Sequence, residues 1–278
     1  LKAFTDGLDR DVVKPELERL AELTGSFEDL AEIYEATAQE IEDDDEEMVP
    51  LLRRAAQLQQ QAGKNDDAVR VWKALLAKVP EDGQALDALG QLFETSKNAQ
   101  SLSEVYSRKA AITQDPNEKF DLLMRAGEAF EAAGNDAQAI ASFKGAVDLK
   151  SAPEAWGALD HLYGKNKQTA DQAVVLYSLA QLATDPEQRR AYLLRRSQLL
   201  EKDDQPAEAL RGYAAVLELN PLEPHAIAGL ERLMADEALK PEAARLLEPA
   251  DRNLNELRKL IDVLEVRVAA LAGGPRLA

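Results

Sequence analysis

The sequence predicts an all-helical chain built as a stack of antiparallel helix pairs. Three observations predict it: a sequence period of about 71 residues, the division of that period into two similar halves, and a composition rich in helix formers. The period is read from Leu51-Leu52-Arg53-Arg54, Leu122-Leu123-Met124-Arg125 and Leu193-Leu194-Arg195-Arg196, each set 71 residues after the last. Recurrence at a fixed interval marks an array whose core is made by stacking neighbours rather than by one central cluster. Aromatics are 5% of the 278 residues and Gly and Pro number 14 and 12, which suits Ala- and Leu-rich helices and argues against a sheet protein.

The two halves show in a second set of positions. Trp72, Phe143 and Tyr213 follow the Leu-Leu starts, and Ala68, Ala139 and Ala209 each stand four residues before that aromatic, on the same helical face. Alternating with these come Leu20, Leu92, Leu162 and Leu233, followed by Tyr34, Tyr106 and Tyr177. Each half is about 34 to 36 residues long and reads as helix, short turn, helix.

Taken in order, the expected units are 10–44, 45–81, 82–115, 116–152, 153–185, 186–221 and an irregular 222–271, six to seven pairs in a single array over 1–278. The first rests on Leu20 and Tyr34. In the second, Ala55-Ala56, Gly63, Ala68, Trp72 and Pro80 hold the pattern, with Gln59 at an aromatic place. Leu89-Gly90, Phe93 and Tyr106 define the third. The fourth is clearest: Leu123, Ala126, Gly127 and Phe130 form the inner face of one helix, Gly134-Asn135 breaks it, and Ala139, Ile140, Phe143, Ala146 and Val147 form the second. Gly127 and Ala139 are expected to let the backbones approach while Phe143 fills the space beyond. Trp156, Leu159 and Tyr163 mark the fifth unit, and Ala209, Tyr213 and closing Pro221 the sixth. From Pro224 the register loosens: the segment with Leu246-Leu247-Glu248-Pro249 and a helix from Asn253 to about Leu271 are either one elongated unit or carry an extra helix before the last.

This layout resembles the tetratricopeptide repeat (TPR) family over nearly the whole chain, and its paired halves are similar to those of long bacterial arrays of that family. The resemblance implies a right-handed superhelical solenoid whose first helices line a concave groove. It also implies core slots for Trp72 and Trp156. The sequence opens at Leu1, and Leu1 to Phe4 align with the last turn of a second helix, so the expectation is a piece of a longer array.

Charge and residue inventory narrow the function. The net charge of −18 opposes nucleic acid and anionic membrane surfaces, because phosphate attraction becomes repulsion. No run approaches eighteen apolar residues, so no membrane insertion is expected. With no cysteine, disulfide and thiol chemistry are excluded. His161 and His225 lack local companions for a base or metal role, and no nucleophile motif or phosphate loop appears. The expectation is no enzyme activity and no cofactor. The acidic run Glu42 to Glu47 lacks the spaced ligands and central Gly of a calcium loop. Asp44, Asp115 and Asp185 recur in it and its equivalents, and the latter two precede Pro116-Asn117-Glu118 and Pro186-Glu187-Gln188, which reads as helix N-caps with capping-box partners.

The candidate contact residues lie on first helices. Arg54, Arg125 and Arg196 recur at intervals of 71, with Arg53 and Arg195 beside two of them, and Gln57, Gln91 and Glu128 stand about one helical turn further on. Such arginines either hold carboxylates of a partner by paired hydrogen bonds or tie each helix to an acid of the next. Family members that grip acidic chaperone tails carry Lys and Asn in this row; here it holds Arg53 and Gln57, then Ala88 and Gln91, then Asp121 and Arg125, so that specialised clamp is not expected. The expected role is a protein-interaction scaffold that binds a protein or peptide segment in the concave face. The alternative is a regulatory peptide-sensing module of a larger enzyme or signalling protein.

Overall fold

A computed structural model describes residues 10–41 and 45–272. The alignment of Leu1 to Phe4, and the acidic residues Glu42, Asp43 and Asp44 with the cap expected at Asp44, lie outside the described residues. Every regular element among the described residues is an α-helix, and the fold is an all-α, TPR-like stack of helix pairs divided into two compact units, Leu1–Leu149 and Lys150–Ala278.

The first unit holds four pairs: α1 (Arg10–Thr24) with α2 (Phe27–Glu40), α3 (Asp45–Gln61) with α4 (Asn65–Lys78), α5 (Gly83–Thr95) with α6 (Ala99–Ile112), and α7 (Pro116–Ala132) with α8 (Asp136–Leu149). Consecutive helices pack on one another in chain order. Each pair turns through one left-handed residue, Gly25, Gly63, Lys97 or Gly134. The next amide then reaches back five residues, as in Asn135 N to Phe130 O at 2.8 Å and Asn98 N to Phe93 O at 3.0 Å. This closes the orphan carbonyls of the first helix and reverses the chain. Lys97 accepts roughly 1 kcal/mol of left-handed strain that glycine avoids.

Core residues repeat with the pairs. Tyr34, Trp72, Leu75, Leu86, Leu89 and Phe143 are fully buried, and each buried aliphatic or aromatic side chain stabilises by about 1.5–3 kcal/mol. Gly127 shows how tight the packing is. A Cβ there would lie 2.5 Å from the Phe143 ring, so it is the ring itself, rather than the α8 backbone, that occupies the space glycine leaves.

The second unit holds α9 (Pro153–Lys165) with α10 (Thr169–Leu182), α11 (Pro186–Lys202) with α12 (Pro206–Leu219), α13 (Pro224–Leu233) with α14 (Lys240–Leu254), and then α15 (Leu257–Ala272). Proline opens α9, α11, α12 and α13, where its fixed φ suits the first turn and its missing N–H is not needed. Asp115 and Asp185 are the N-caps of α7 and α11, each accepting from two backbone amides. Gln188 does not return to the cap; its amide donates along the helix to the Tyr192 hydroxyl at 3.2 Å.

Two expectations are corrected here. Trp156 is only half-buried: it sits in the first turn of α9, and its indole N–H reaches out to Ser151 Oγ at 3.0 Å. The C-terminal helix begins at Leu257 rather than Asn253, because Asn255 adopts φ 58° and ends α14 with the same backward bond as the regular pairs, Glu256 N to Asp251 O at 3.0 Å. The additional helix therefore follows the last pair instead of preceding its second member.

Candidate functional site

The arginines picked out by the repeat divide by what they touch. Arg53 on α3 binds Asp82 through Nε and Nη2 at 3.0 and 2.5 Å, while the same carboxylate caps α5 by accepting from Ala85 N. Arg54 binds Glu18 of α1 at 3.1 and 3.2 Å and touches Gln57 at 3.4 Å. Arg195 on α11 holds Asp160 of α9 at 2.9 and 3.2 Å. All three tie a first helix to a neighbouring pair. Gln91 is exposed on α5. Arg125 and Arg196 behave differently: their guanidinium groups lie 5.9 Å from the centre of the Tyr106 ring and 5.3 Å from that of Tyr177.

These contacts reveal a unit that spacing alone does not show. A tyrosine on a second helix is followed 19 or 20 residues later by an arginine on the next first helix: Tyr34 and Arg54, Tyr106 and Arg125, Tyr177 and Arg196, Tyr213 and Arg232. In three of these sets the tyrosine hydroxyl donates to a glutamate of a preceding first helix. Tyr34 reaches Glu18 at 3.4 Å, Tyr213 reaches Glu201 at 2.6 Å, and Tyr106 makes a short bond to Glu94. Arg232 grips Glu201 from the other side at 2.6 and 2.8 Å, as Arg54 grips Glu18.

The electrostatics follow from that arrangement. Hydrogen bonds from Arg232 hold the Glu201 carboxyl below its ordinary value, with burial opposing. Burial, reinforced by the adjacent glutamate, raises the phenols of Tyr34, Tyr106 and Tyr213. Tyrosine therefore stays a neutral donor, and the charge in each set is carried by the Glu–Arg partners.

Two open hollows in the first unit border these groups. One of about 710 Å³ is lined by Glu94, Leu102, Tyr106, Arg125, Glu128 and Ala129. The other, about 800 Å³, is lined by Lys73, Leu76, Arg108 and Ser142 of the second helices α4, α6 and α8, and by Leu123 and Phe130 of α7. Sequence reasoning looked only at first helices and missed this second trough. Its signal was the run of short side chains Ala77, Ser107, Ala141 and Ser142 on second-helix flanks.

His161 and His225 are both exposed and stand on different pairs. Among the described residues no group of three or more His, Cys, Asp or Glu side chains is placed to hold a metal, and no helix is long and apolar enough to cross a membrane.

No family model matches the chain, and no curated protein does. Among solved structures it is similar to YrrB, a TPR protein with an unusual peptide-binding site, at 13% identity over 72% of this chain and 99% of that one, with a TM-score of 0.36. It is also similar to a tetratricopeptide repeat protein from Parabacteroides merdae, at 14% identity over 91% and 96% with a TM-score of 0.35. A third is PilF of Pseudomonas aeruginosa, at 15% identity over 76% and 100% with a TM-score of 0.34. These likenesses concern the fold alone, a stack of helix pairs.

Proposed function

We propose that the chain is a protein-interaction scaffold that holds a protein or peptide segment along the face carried by its first helices, the concave face expected of such a stack. The observation that carries this reading is the hollow at Arg125. A cation predicted from the repeat lines an open space of about 710 Å³, together with apolar Leu102 and Ala129 and charged Glu94 and Glu128. Mixed linings of this kind take up side chains of a docked segment, with the apolar part giving affinity and the charges fixing orientation. Neighbours such as YrrB, with its peptide-binding site, support the same reading. The single array over 1–278 with its 71-residue unit belongs to this proposal: helix lengths of 17, 14, 13 and 14 residues recur from α3 to α6 and again from α7 to α10.

Within the row, Arg53, Arg54 and Arg195 contribute by fixing helices, and Gln57, Gln91, Arg125 and Arg196 are left to meet a partner. The test is capture from an extract of the source organism on the immobilised chain, then titration of each captured protein after purification. Saturable binding that is lost in Arg125→Glu with Arg196→Glu, while the melting temperature is retained, is the expected result. No saturable partner, or a partner indifferent to both substitutions, overturns the first-helix assignment.

A further inference from the structure

Helix α15 leaves one long face uncovered. Val263, 2% exposed, and half-buried Val266 pack into the core of the second unit and seat the helix on α14. Beside them runs a row of large apolar residues, Leu257, Ile261, Leu264, Val268 and Leu271, spaced four, three, four and three residues apart. Leu257, Ile261, Val268 and Leu271 are 63, 55, 64 and 79% exposed, and Leu264 is half-buried. Among the described residues, none of the first helices α3, α5, α7, α9, α11 and α13 exposes a large apolar side chain. The spacing is that of a coiled-coil seam, kept on one helix face for about 21 Å.

We propose that α15 is a self-association helix, through which two copies of the chain pair in antiparallel with this row as the seam. The charges beside the row select that occupant and that direction. With the two-fold axis between Asp262 and Val263, Leu257 meets Val268 of the second copy, Ile261 meets Leu264, and Arg258 of each copy lies beside Glu265 of the other. A parallel pair would set Glu265 against Leu260 and Arg267 against Ala272, matching no opposite charges. Arg258 and Glu265 are exposed and make no ion pair among the described residues, whereas Lys259 is held by Glu231 at 2.8 Å and Arg267 by Glu248. Like-with-like contact also needs a region spared the net charge of −18, and α15 sets Arg258, Lys259 and Arg267 against only Asp262 and Glu265.

The inference goes beyond the scaffold reading, since it needs no partner but the chain itself. Sedimentation of the full chain from about 1 µM to about 0.5 mM should show monomer passing to dimer, the weak range expected of a short helix–helix interface. Ile261→Glu with Val268→Glu, both at exposed positions, should keep the parent's helicity and melting temperature and stay monomeric throughout. Arg258→Glu and Glu265→Arg should each weaken the dimer by about tenfold. Mixing these two variants in equal amounts should restore it, because the mixed pair again places opposite charges side by side at both edges. A monomer at every concentration, or a dimer indifferent to Ile261→Glu with Val268→Glu, overturns the proposal. So do charge reversals without effect or without recovery on mixing.

Discussion

Tyr213 and Tyr177 stand one residue out of register on successive second helices of one unit, nine and ten residues after the left-handed turns at Asp204 and Lys167, and one is sealed while the other is open. Tyr213 is fully buried, its hydroxyl and Arg232 closing on Glu201. Tyr177 lies half in solvent with Arg196 on its ring. The difference comes from register: fully buried Leu176 takes the slot that Tyr213 fills, and Gly164 stands where Glu201 does. Tyr213 therefore completes an internal Tyr–Glu–Arg set, whereas Tyr177 lies one residue beyond the equivalent place. A carboxylate gains from two charge-assisted partners only if all three groups are present, since an arginine left half-buried and unpaired loses hydration without compensation.

Substitutions that break the sealed set separate these roles. The largest effect is expected from Ala209→Glu, which puts a charge at a fully buried position one turn before Tyr213. An unpaired buried charge there costs about 3 kcal/mol or more and should melt the α11–α12 pair, seen by circular dichroism as a lost or broadened transition. An unchanged melt would show that the inner face of α12 is misassigned.

Glu201→Ala should cost about 1–2 kcal/mol, because it leaves the Tyr213 hydroxyl and Arg232 without their shared acceptor. The effect has a pH signature. The Glu201 carboxyl is held below its ordinary value of 4.5 in the folded chain, so its contribution is full above that value and fades as pH falls through the lower folded value. Parent and variant melts should therefore differ at neutral pH and converge as the pH drops below about 4.5. A difference that persists at acid pH would mean that the side chain acts by packing rather than by charge.

A matched pair of phenylalanine substitutions sharpens the comparison further. Tyr213→Phe removes a buried hydroxyl bonded to Glu201 and should cost about 1 kcal/mol; Tyr177→Phe removes the hydroxyl of a half-exposed ring and should stay within about 0.5 kcal/mol. Equal losses in chemical denaturation would mean that Tyr177 has an internal partner after all.

Much of this architecture was legible in the sequence. Leu-Leu starts, the alanine four residues before each aromatic, and Gly134-Asn135 located helices, faces and a turn because stacking forces the same small and large residues into the same places. Trp156 escaped because a first-turn position can point its ring at the preceding loop, a choice that Ser151 decides through a hydrogen bond. The break at Asn255 was hidden because asparagine tolerates the left-handed region without the glycine that marks it elsewhere. Tyr177 recurs at the sequence interval of Tyr106, yet one residue more separates it from its turn, so Leu176 holds the buried slot, a shift that only the backbone shows.

The claim that Tyr213, Glu201 and Arg232 act as one set is tested most directly by a double-mutant cycle in chemical denaturation between Tyr213→Phe and Arg232→Gln. The two side chains bind one carboxylate, so a coupling of about 0.5 kcal/mol or more is expected. Strictly additive losses would contradict the account.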